Sequence, residues 1–232
     1  MAKHPFLGGR DLTRIAEADS VAVIGLGRFG QALALELMSK GTEVLGIDNR
    51  EDVVQSLNGR LTHVVSANAT SEEVLRQLAV PSFDRVVVAI GSDIEASILT
   101  TSLLLRFGIQ HLWAKAVSDA HGTILEQLGV AHVVYPEKDM GKRVAHLVRG
   151  AMQDYIEIGD DFALVKAAAN QTVIGIPLGQ AQIRSKYGVT ITAVKKPASD
   201  WTYTTAETII EAEDVMLIAG PTRKAEAFSQ LR

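Results

Sequence analysis

The chain has 232 residues, a formal net charge of −4, no cysteine and 47% hydrophobic residues. This length suits one large or two small domains, and the hydrophobic content is enough for a folded core. Without cysteine, disulfides and thiolate metal sites are excluded, and without a basic block a nucleic-acid partner is disfavoured. No apolar segment approaches the roughly 18 residues that span a bilayer. We therefore expect a soluble cytoplasmic protein, with residues 1–19 as a loosely ordered tail and not a signal peptide.

The first part of the chain alternates strand patterns with helical patterns. Strands are predicted at 21–24, 43–47, 63–66, 85–89, 111–116 and 132–135. Helices are predicted between them at 29–39, 50–57, 71–78, 94–107 and 119–128. This order predicts a Rossmann-like, doubly wound parallel sheet, whose ligands lie at the carboxyl ends of the strands.

The first strand and helix carry a dinucleotide-binding pattern, Gly25-Leu-Gly-Arg-Phe-Gly30, and Asp48 ends the second strand. Gly25 is expected to make a tight turn, Gly27 to let the backbone approach a pyrophosphate, and Gly30 to let helix and strand pack closely. Asp48 is expected to bind adenosine ribose hydroxyls from an exposed strand end, and its charge disfavours the 2′-phosphate of NADP. The alternative is a Rossmann domain with an empty or degenerate site.

Residues for hydride-transfer chemistry are scarce in the sequence. Near the expected crevice the only acid or base candidates are His121 and Lys115. His121 can also be a first-turn helix residue, and Lys115 ends a buried strand, where a lysine needs an anion. A dehydrogenase requires an acid or base beside its substrate, so the site is predicted to bind a ligand without catalysis. An NAD-dependent oxidoreductase remains the alternative.

After Lys138 the pattern changes to a smaller α+β domain. A helix is predicted over 138–153, with an apolar stripe at Met140, Val144, Leu147, Val148 and Met152. We expect this stripe to pack against its own copy in a second chain or to bridge the two domains of a neighbouring chain. Strands are predicted at 162–168, 189–195 and 215–219, with a helix that ends at 187–188. The predicted organisation is a tail over 1–19, a nucleotide-binding domain over 20–137, a connecting helix over 138–155 and a second domain over 156–232.

Several further motifs occur in the same order as in a known family. They are Gly25-Leu-Gly-Arg-Phe-Gly30, Ala67-Asn-Ala-Thr70, Val88-Ala-Ile-Gly91, Trp113-Ala-Lys-Ala116 and Tyr135-Pro-Glu-Lys-Asp-Met-Gly141. From about Ser20 to Leu231 the chain resembles the KtrA/TrkA family of RCK-domain regulators of bacterial potassium uptake. The resemblance implies an RCK N-terminal domain, an RCK C-terminal domain, and a homo-oligomer in which dimers form an octameric ring beneath a KtrB/TrkH-like membrane subunit.

The resemblance also implies ligands and the residues that bind them. Members of the KtrA/TrkA family bind ATP or ADP, and NAD(H) is also reported as a ligand. The matching positions are Gly25, Gly27, Arg28, Phe29, Gly30, Asp48, Asn49, Arg50, Asn68, Ala69, Ile90, Gly91, Ser92, Lys115, Ala116, Val117, His121 and Glu137. Arg28 matches an arginine that contacts the terminal phosphate, and Glu137 matches a residue tied to a divalent cation or Na⁺.

Three of these residues have structural alternatives. Arg28 can be a solvated first-turn arginine, Asn68 can cap the helix at Ser71, and Glu137 can be a first-turn carboxylate favoured by the helix dipole. In the second domain the resemblance suggests a cyclic di-AMP site, for which Ile174, Ile176 and Arg184 are the candidates.

Overall fold

The structure is a computed structural model that describes residues 20–150, 152–159 and 161–231. The chain forms two compact units, which divide between Glu137 and Lys138. The predicted tail over 1–19 lies outside the described residues.

The first unit is built on a six-stranded parallel sheet with strand order β3-β2-β1-β4-β5-β6. Its strands are β1 (Ser20–Ile24), β2 (Glu43–Asp48), β3 (His63–Ser66), β4 (Arg85–Val88), β5 (His111–Lys115) and β6 (His132–Val134). Its helices are α1 (Arg28–Ser39), α2 (Glu51–Leu57), α3 (Glu72–Gln77), α4 (Ile94–Arg106) and α5 (Asp119–Gln127), with a 3₁₀ turn at Val80–Ser82. The prediction of a doubly wound, Rossmann-like sheet is confirmed.

Both faces of the central strands are buried, which explains their continuous apolar sequences. On β1, Ala22 and Ile24 pack into one hydrophobic cluster, whereas Val21 and Val23 pack into a second cluster. Because successive side chains of a strand point to opposite faces, the two clusters lie on the two sides of the sheet. The loops that follow the strands therefore begin at the carboxyl ends of a sheet whose central strands are packed on both faces.

The second unit contains a five-stranded antiparallel sheet with strand order β10-β9-β11-β8-β7. Its strands are β7 (Met152–Glu157), β8 (Phe162–Ala168), β9 (Thr190–Lys195), β10 (Trp201–Tyr203) and β11 (Val215–Pro221). Helix α6 (Pro136–Arg149) begins with the last two residues of the first unit and continues into the second. The other helices of the second unit are α7 (Leu178–Ala181), α8 (Ile183–Tyr187) and α9 (Thr222–Ser229). The predicted smaller α+β domain is confirmed.

The prediction of one helix over 138–153, and of a connecting helix over 138–155, is wrong at its C-terminal end. Helix α6 ends at Arg149, and Met152–Glu157 forms strand β7 at the edge of the sheet. Met152 and Tyr155 are buried in the core of the second unit, where β7 pairs with β8. Burial of these side chains and the hydrogen bonds of the ladder outweigh the helical pattern of the preceding residues.

Candidate functional site

A cavity of 840 Å³ opens at the carboxyl ends of the parallel strands in the first unit. Its volume falls within the range of about 300–1,000 Å³ that is usual for small-molecule sites. All of the predicted site residues except Gly30, Ala116 and His121 line it. The lining also includes Ile24, Ile47, Ala67, Thr70, Ala89, Asp93, Ala96 and Thr100, which the site prediction did not contain.

Gly25 forms the turn between β1 and α1 in a conformation that favours glycine. Its φ is +92°, and a Cβ atom added there would lie 2.8 Å from the backbone nitrogen of Ile90. The Gly25 N–H donates to the carbonyl of Ile47 at 2.8 Å, which ties the turn to the end of β2. A side chain at this position would therefore meet both an unfavourable backbone conformation and a steric clash.

The other two glycines of the motif have different surroundings. A Cβ atom on Gly30 would lie 1.9 Å from the carbonyl oxygen of Gly25, so helix and turn touch backbone to backbone at this point. A Cβ atom on Gly27 would meet nothing within 4 Å. Gly27 is the N-cap of α1 and lines the cavity with Arg28 and Phe29. The cavity therefore borders the first turn of a helix, where unpaired N–H groups and the helix dipole favour an anion.

Asp48 fixes the glycine turn as well as lining the cavity. One carboxylate oxygen accepts the Leu26 N–H at 2.7 Å, and the other accepts the Arg50 N–H at 2.9 Å. The Arg50 guanidinium lies 3.5 Å from the same second oxygen. With 9% of its surface exposed, Asp48 is buried, so the expectation of an exposed strand end is wrong. A carboxylate can accept about four hydrogen bonds, which leaves lone pairs for two ribose hydroxyls.

Asn68 and its neighbours form the wall that follows β3. The Asn68 side-chain oxygen accepts the Thr70 N–H at 3.0 Å and the Thr70 hydroxyl at 2.8 Å. Helix α3 is capped by Ser71, whose hydroxyl accepts from Val74. Asn68 therefore does not cap α3 itself, and its amide nitrogen can still donate to a ligand in the cavity.

Lys115 and Glu137, which the sequence assigned separately to the ligand, are paired with each other. The Lys115 ammonium donates to a Glu137 carboxylate oxygen at 2.6 Å. This hydrogen bond is the main cause that lowers the pKa of Glu137, and the positive charge of Arg28 adds a smaller contribution. Lys115 Nζ also lies 5.7 Å from the centre of the Phe29 ring, in the first turn of α1. The pair therefore stands beside the helix end that favours an anion.

A protein-only metal site is absent from the described residues, among which no three His, Cys, Asp or Glu side chains converge. Glu137 offers a single carboxylate at the cavity. Magnesium is often held by one or two carboxylates together with the phosphates of a ligand. Glu137 therefore fits a cation only if a bound phosphate supplies further oxygens.

His121 is a structural residue in this fold. It is buried, at 1% exposure, and its Nδ1 accepts the Val117 N–H at 3.4 Å. Burial lowers the pKa of the imidazole, because the charged form is poorly solvated there. Among the described residues Nε2 has no hydrogen-bond partner. His121 positions the loop that carries Val117 and does not line the cavity, and Ala116 is likewise buried in the core.

Two signals in the sequence could have identified the missed lining residues. Ile24 and Ile47 lie at strand ends, where the fold places the crevice. Ala96 and Thr100 lie four residues apart on one face of α4, and Asp93 is the N-cap of the same helix. The position of that face toward the cavity depends on how α4 packs on the sheet, which periodicity alone does not determine.

The candidates for a second ligand lie in the second unit. Ile176 is 39% exposed, and Ile174 forms an isolated bridge with Ile210. The Arg184 guanidinium donates to the Thr190 hydroxyl at 3.2 Å.

Within the described part of the chain, no helix combines the length and hydrophobicity needed to cross a bilayer.

Comparison with known proteins identifies the family of this chain. Residues 21–136 match the TrkA-N domain, and residues 162–231 match the TrkA-C domain. The chain is 38% identical to the Ktr system potassium uptake protein C of Bacillus subtilis (strain 168), over 90% of this chain and 95% of that protein. It is 37% identical to the Ktr system potassium uptake protein A of the same organism, over 89% of this chain and 94% of the relative.

A solved structure shares the fold at lower identity. The GsuK channel bound to NAD matches with a TM-score of 0.63 and 18% identity, over 92% of this chain and 39% of the channel chain. This likeness concerns the fold, whereas the two Ktr relatives match over nearly their full lengths. The resemblance inferred from the sequence motifs is thereby confirmed. The chain belongs to the Ktr-type family of potassium uptake proteins, in which a TrkA-N domain precedes a TrkA-C domain, and it is an RCK regulatory protein and not an oxidoreductase.

Proposed function

We propose that this chain is a regulatory subunit that senses ATP and ADP and gates a KtrB/TrkH-like membrane subunit for potassium uptake. The observation that carries the proposal is the position of Asp48. Its carboxylate lines the cavity and also holds the glycine turn through Leu26. One residue thus connects the expected ribose position with the expected phosphate position.

The arrangement of polar groups supports an adenine nucleotide in one orientation. In this orientation Asp48 binds the ribose hydroxyls and Asn68 donates its amide to the adenine edge. The phosphates lie at the first turn of α1, beside Gly27 and Arg28. Asn49, Arg50, Ala69, Ile90, Gly91 and Ser92 complete the lining along the nucleotide. NAD(H) shares the adenosine half and is a second candidate ligand, as the NAD-bound GsuK relative suggests.

Arg28 is the residue best suited to distinguish ATP from ADP. It is an exposed guanidinium in the first turn of α1, at the edge of the cavity. A ligand shifts a two-state protein only by its difference in affinity for the two states. ATP and ADP differ only in the terminal phosphate, so the discriminating group must contact that phosphate. A guanidinium can bind it with two hydrogen bonds.

Further parts of the proposal concern assembly and additional ligands. We infer a cytoplasmic homo-oligomer, formed from dimers as an octameric ring, that lies at the inner membrane face through its partner. A divalent cation or Na⁺ between Glu137 and the nucleotide phosphates would reduce their mutual repulsion. A cyclic di-AMP site at Ile174, Ile176 and Arg184 is the remaining proposal for the second domain.

Calorimetry of ATP and ADP on the wild type and on Arg28→Ala tests the sensing function. We expect Arg28→Ala to lower ATP affinity toward that of ADP and to leave ADP affinity within about twofold, because a charged hydrogen bond to the terminal phosphate is lost. Arg60→Ala, which changes a basic residue outside the cavity lining, is the matched control. Equal losses for both nucleotides in Arg28→Ala would show that this residue does not sense the terminal phosphate.

The regulatory part of the function requires a transport measurement. Potassium uptake by a deficient bacterium that expresses the chain with its membrane subunit should fall when Arg28→Ala replaces the wild type. Arg60→Ala should restore uptake to the wild-type level. Uptake that is the same with Arg28→Ala, Arg60→Ala and no regulatory chain at all would contradict the proposed function.

A further inference from the structure

Lys115 and Glu137 differ sharply in their surroundings. Lys115 is 8% exposed at the end of β5, whereas 63% of the Glu137 side chain is accessible to water. A buried ammonium needs an anionic partner, because water cannot reach it to stabilise the charge. A carboxylate at the surface can leave its partner at low cost, since water replaces the lost hydrogen bond. The lysine is therefore the fixed member of the pair, and the glutamate can be exchanged.

The fixed ammonium lies where an anionic ligand would be bound. Its Nζ atom lies 5.7 Å from the centre of the Phe29 ring, in the first turn of α1. It also lies 3.2 Å from the position that a Cβ atom on Gly91 would occupy, so glycine at this position leaves the ammonium more space than a residue with a side chain would. Lys115, Phe29, Gly91 and Glu137 all line the same cavity. A phosphate at the end of α1 and the Glu137 carboxylate would thus compete for one ammonium.

We propose that Glu137 is an internal competitor for the ligand phosphate, which occupies Lys115 when the cavity is empty and is displaced when a phosphate binds. The inference rests on the proposed nucleotide function and concerns how the same site selects its ligand. Displacement replaces one charged hydrogen bond to Lys115 with another. The contact with Lys115 therefore contributes less free energy to phosphate binding than a contact with an unpaired lysine would. A nucleoside without phosphate leaves the pair intact, so Lys115 contributes nothing to its binding.

The test is calorimetry with ADP and with adenosine, in buffer containing a chelator so that no divalent cation takes part. Glu137→Gln keeps the shape of the side chain but removes its charge. We expect this variant to bind ADP about five- to tenfold more tightly than the wild type, because the competing carboxylate is gone. Its affinity for adenosine should stay within about twofold of the wild type.

A second pair of variants locates the effect at the lysine. Lys115→Met should weaken ADP binding. Adding Glu137→Gln to this variant should not raise its ADP affinity, because the ammonium for which the carboxylate and the phosphate compete is absent. Lys115→Gln serves as a second variant if Lys115→Met is unstable. Glu95→Gln, an exposed carboxylate in the first turn of α4, removes a charge near the cavity without touching Lys115 and should leave ADP affinity unchanged.

Each outcome distinguishes the inference from the function on which it rests. If Glu137→Gln leaves ADP affinity unchanged, raises adenosine affinity equally, or retains its gain in the Lys115→Met background, the competition is refuted. The same holds if Glu95→Gln produces an equal gain, which would reduce the effect to general electrostatics. If the wild-type chain binds no nucleotide at all, the proposed function fails instead.

Discussion

The glycines of the β1–α1 turn provide a test that separates folding from binding. In Gly30→Ala the new Cβ atom would lie 1.9 Å from the Gly25 carbonyl oxygen and 3.0 Å from the Gly25 carbonyl carbon. Backbone atoms cannot rotate away as a flexible side chain can, so α1 must shift from the end of β1. Overpacking of this kind costs about 1–3 kcal/mol. We expect Gly30→Ala to lower the free energy of unfolding of the first unit by that amount.

Gly27→Ala should leave the free energy of unfolding nearly unchanged but weaken nucleotide binding. Its Cβ atom meets nothing within 4 Å, so the only folding cost is the weaker N-cap of α1, below about 1 kcal/mol. Because Gly27 lines the cavity, an added methyl group is expected to hinder the approach of a phosphate to the backbone. Nucleotide affinity should therefore fall at least about tenfold, which corresponds to about 1.4 kcal/mol.

Tryptophan fluorescence during urea unfolding can measure the first unit separately. The chain has two tryptophans, Trp113 on β5 and Trp201 on β10 in the second unit. In a Trp201→Phe background the signal reports Trp113 alone, and calorimetry with ADP on the same variants gives the affinity. The reasoning is refuted if Gly30→Ala unfolds within about 0.5 kcal/mol of the wild type, a difference typical of neutral surface substitutions. It is equally refuted if Gly27→Ala binds ADP as the wild type does.

Two further predictions concern His121 and the apolar face of α6. Because burial lowers the pKa of native His121 below its unfolded value of about 6.5, its neutral form stabilises the fold above that pH and this stability is lost on acidification. Urea unfolding across this range should therefore show a weaker acid destabilisation in His121→Gln than in the wild type, and identical pH dependences would contradict the assignment. On α6, Met140, Val144 and Val148 are exposed at spacings of four residues, with Val148 at 79%. We expect light scattering to show an oligomer that Val148→Asp weakens but Lys142→Asp does not, whereas a wild-type monomer at micromolar concentration would exclude the interface.

The first unit could be predicted closely because its signals are local. Each strand is a short apolar run, and the side chains of Ser71, Asp93 and Ser118 cap the helices that follow them. The parallel order then follows from the short crossovers. In the second unit, β7 follows directly after α6 and its residues continue the apolar spacing of that helix. Pairing with β8, which the local pattern does not contain, decides its structure.

Long-range contacts explain what the site prediction missed. Lys115 and Glu137 are 22 residues apart, and their pairing depends on the neighbouring positions of β5 and β6 in the sheet. Asp48 and Leu26 are also 22 residues apart, so the structural task of the carboxylate was not visible in the motif. His121 follows β5 closely in the sequence, yet the packing of α5 buries it away from the cavity. Residue types were predictable from the motif, whereas their partners required the fold.

The most direct test of nucleotide binding through Asp48 is calorimetry of ATP and 2′-deoxy-ATP on the wild type and on Asp48→Asn. Charged hydrogen bonds contribute about 1.5–3 kcal/mol, so we expect the wild type to bind ATP roughly ten- to a hundredfold more tightly than 2′-deoxy-ATP. In Asp48→Asn this preference should fall to about twofold, with the fold checked by circular dichroism because Asp48 also holds Leu26. An equal preference in both proteins, or unchanged ATP affinity in a folded Asp48→Asn, would contradict the account.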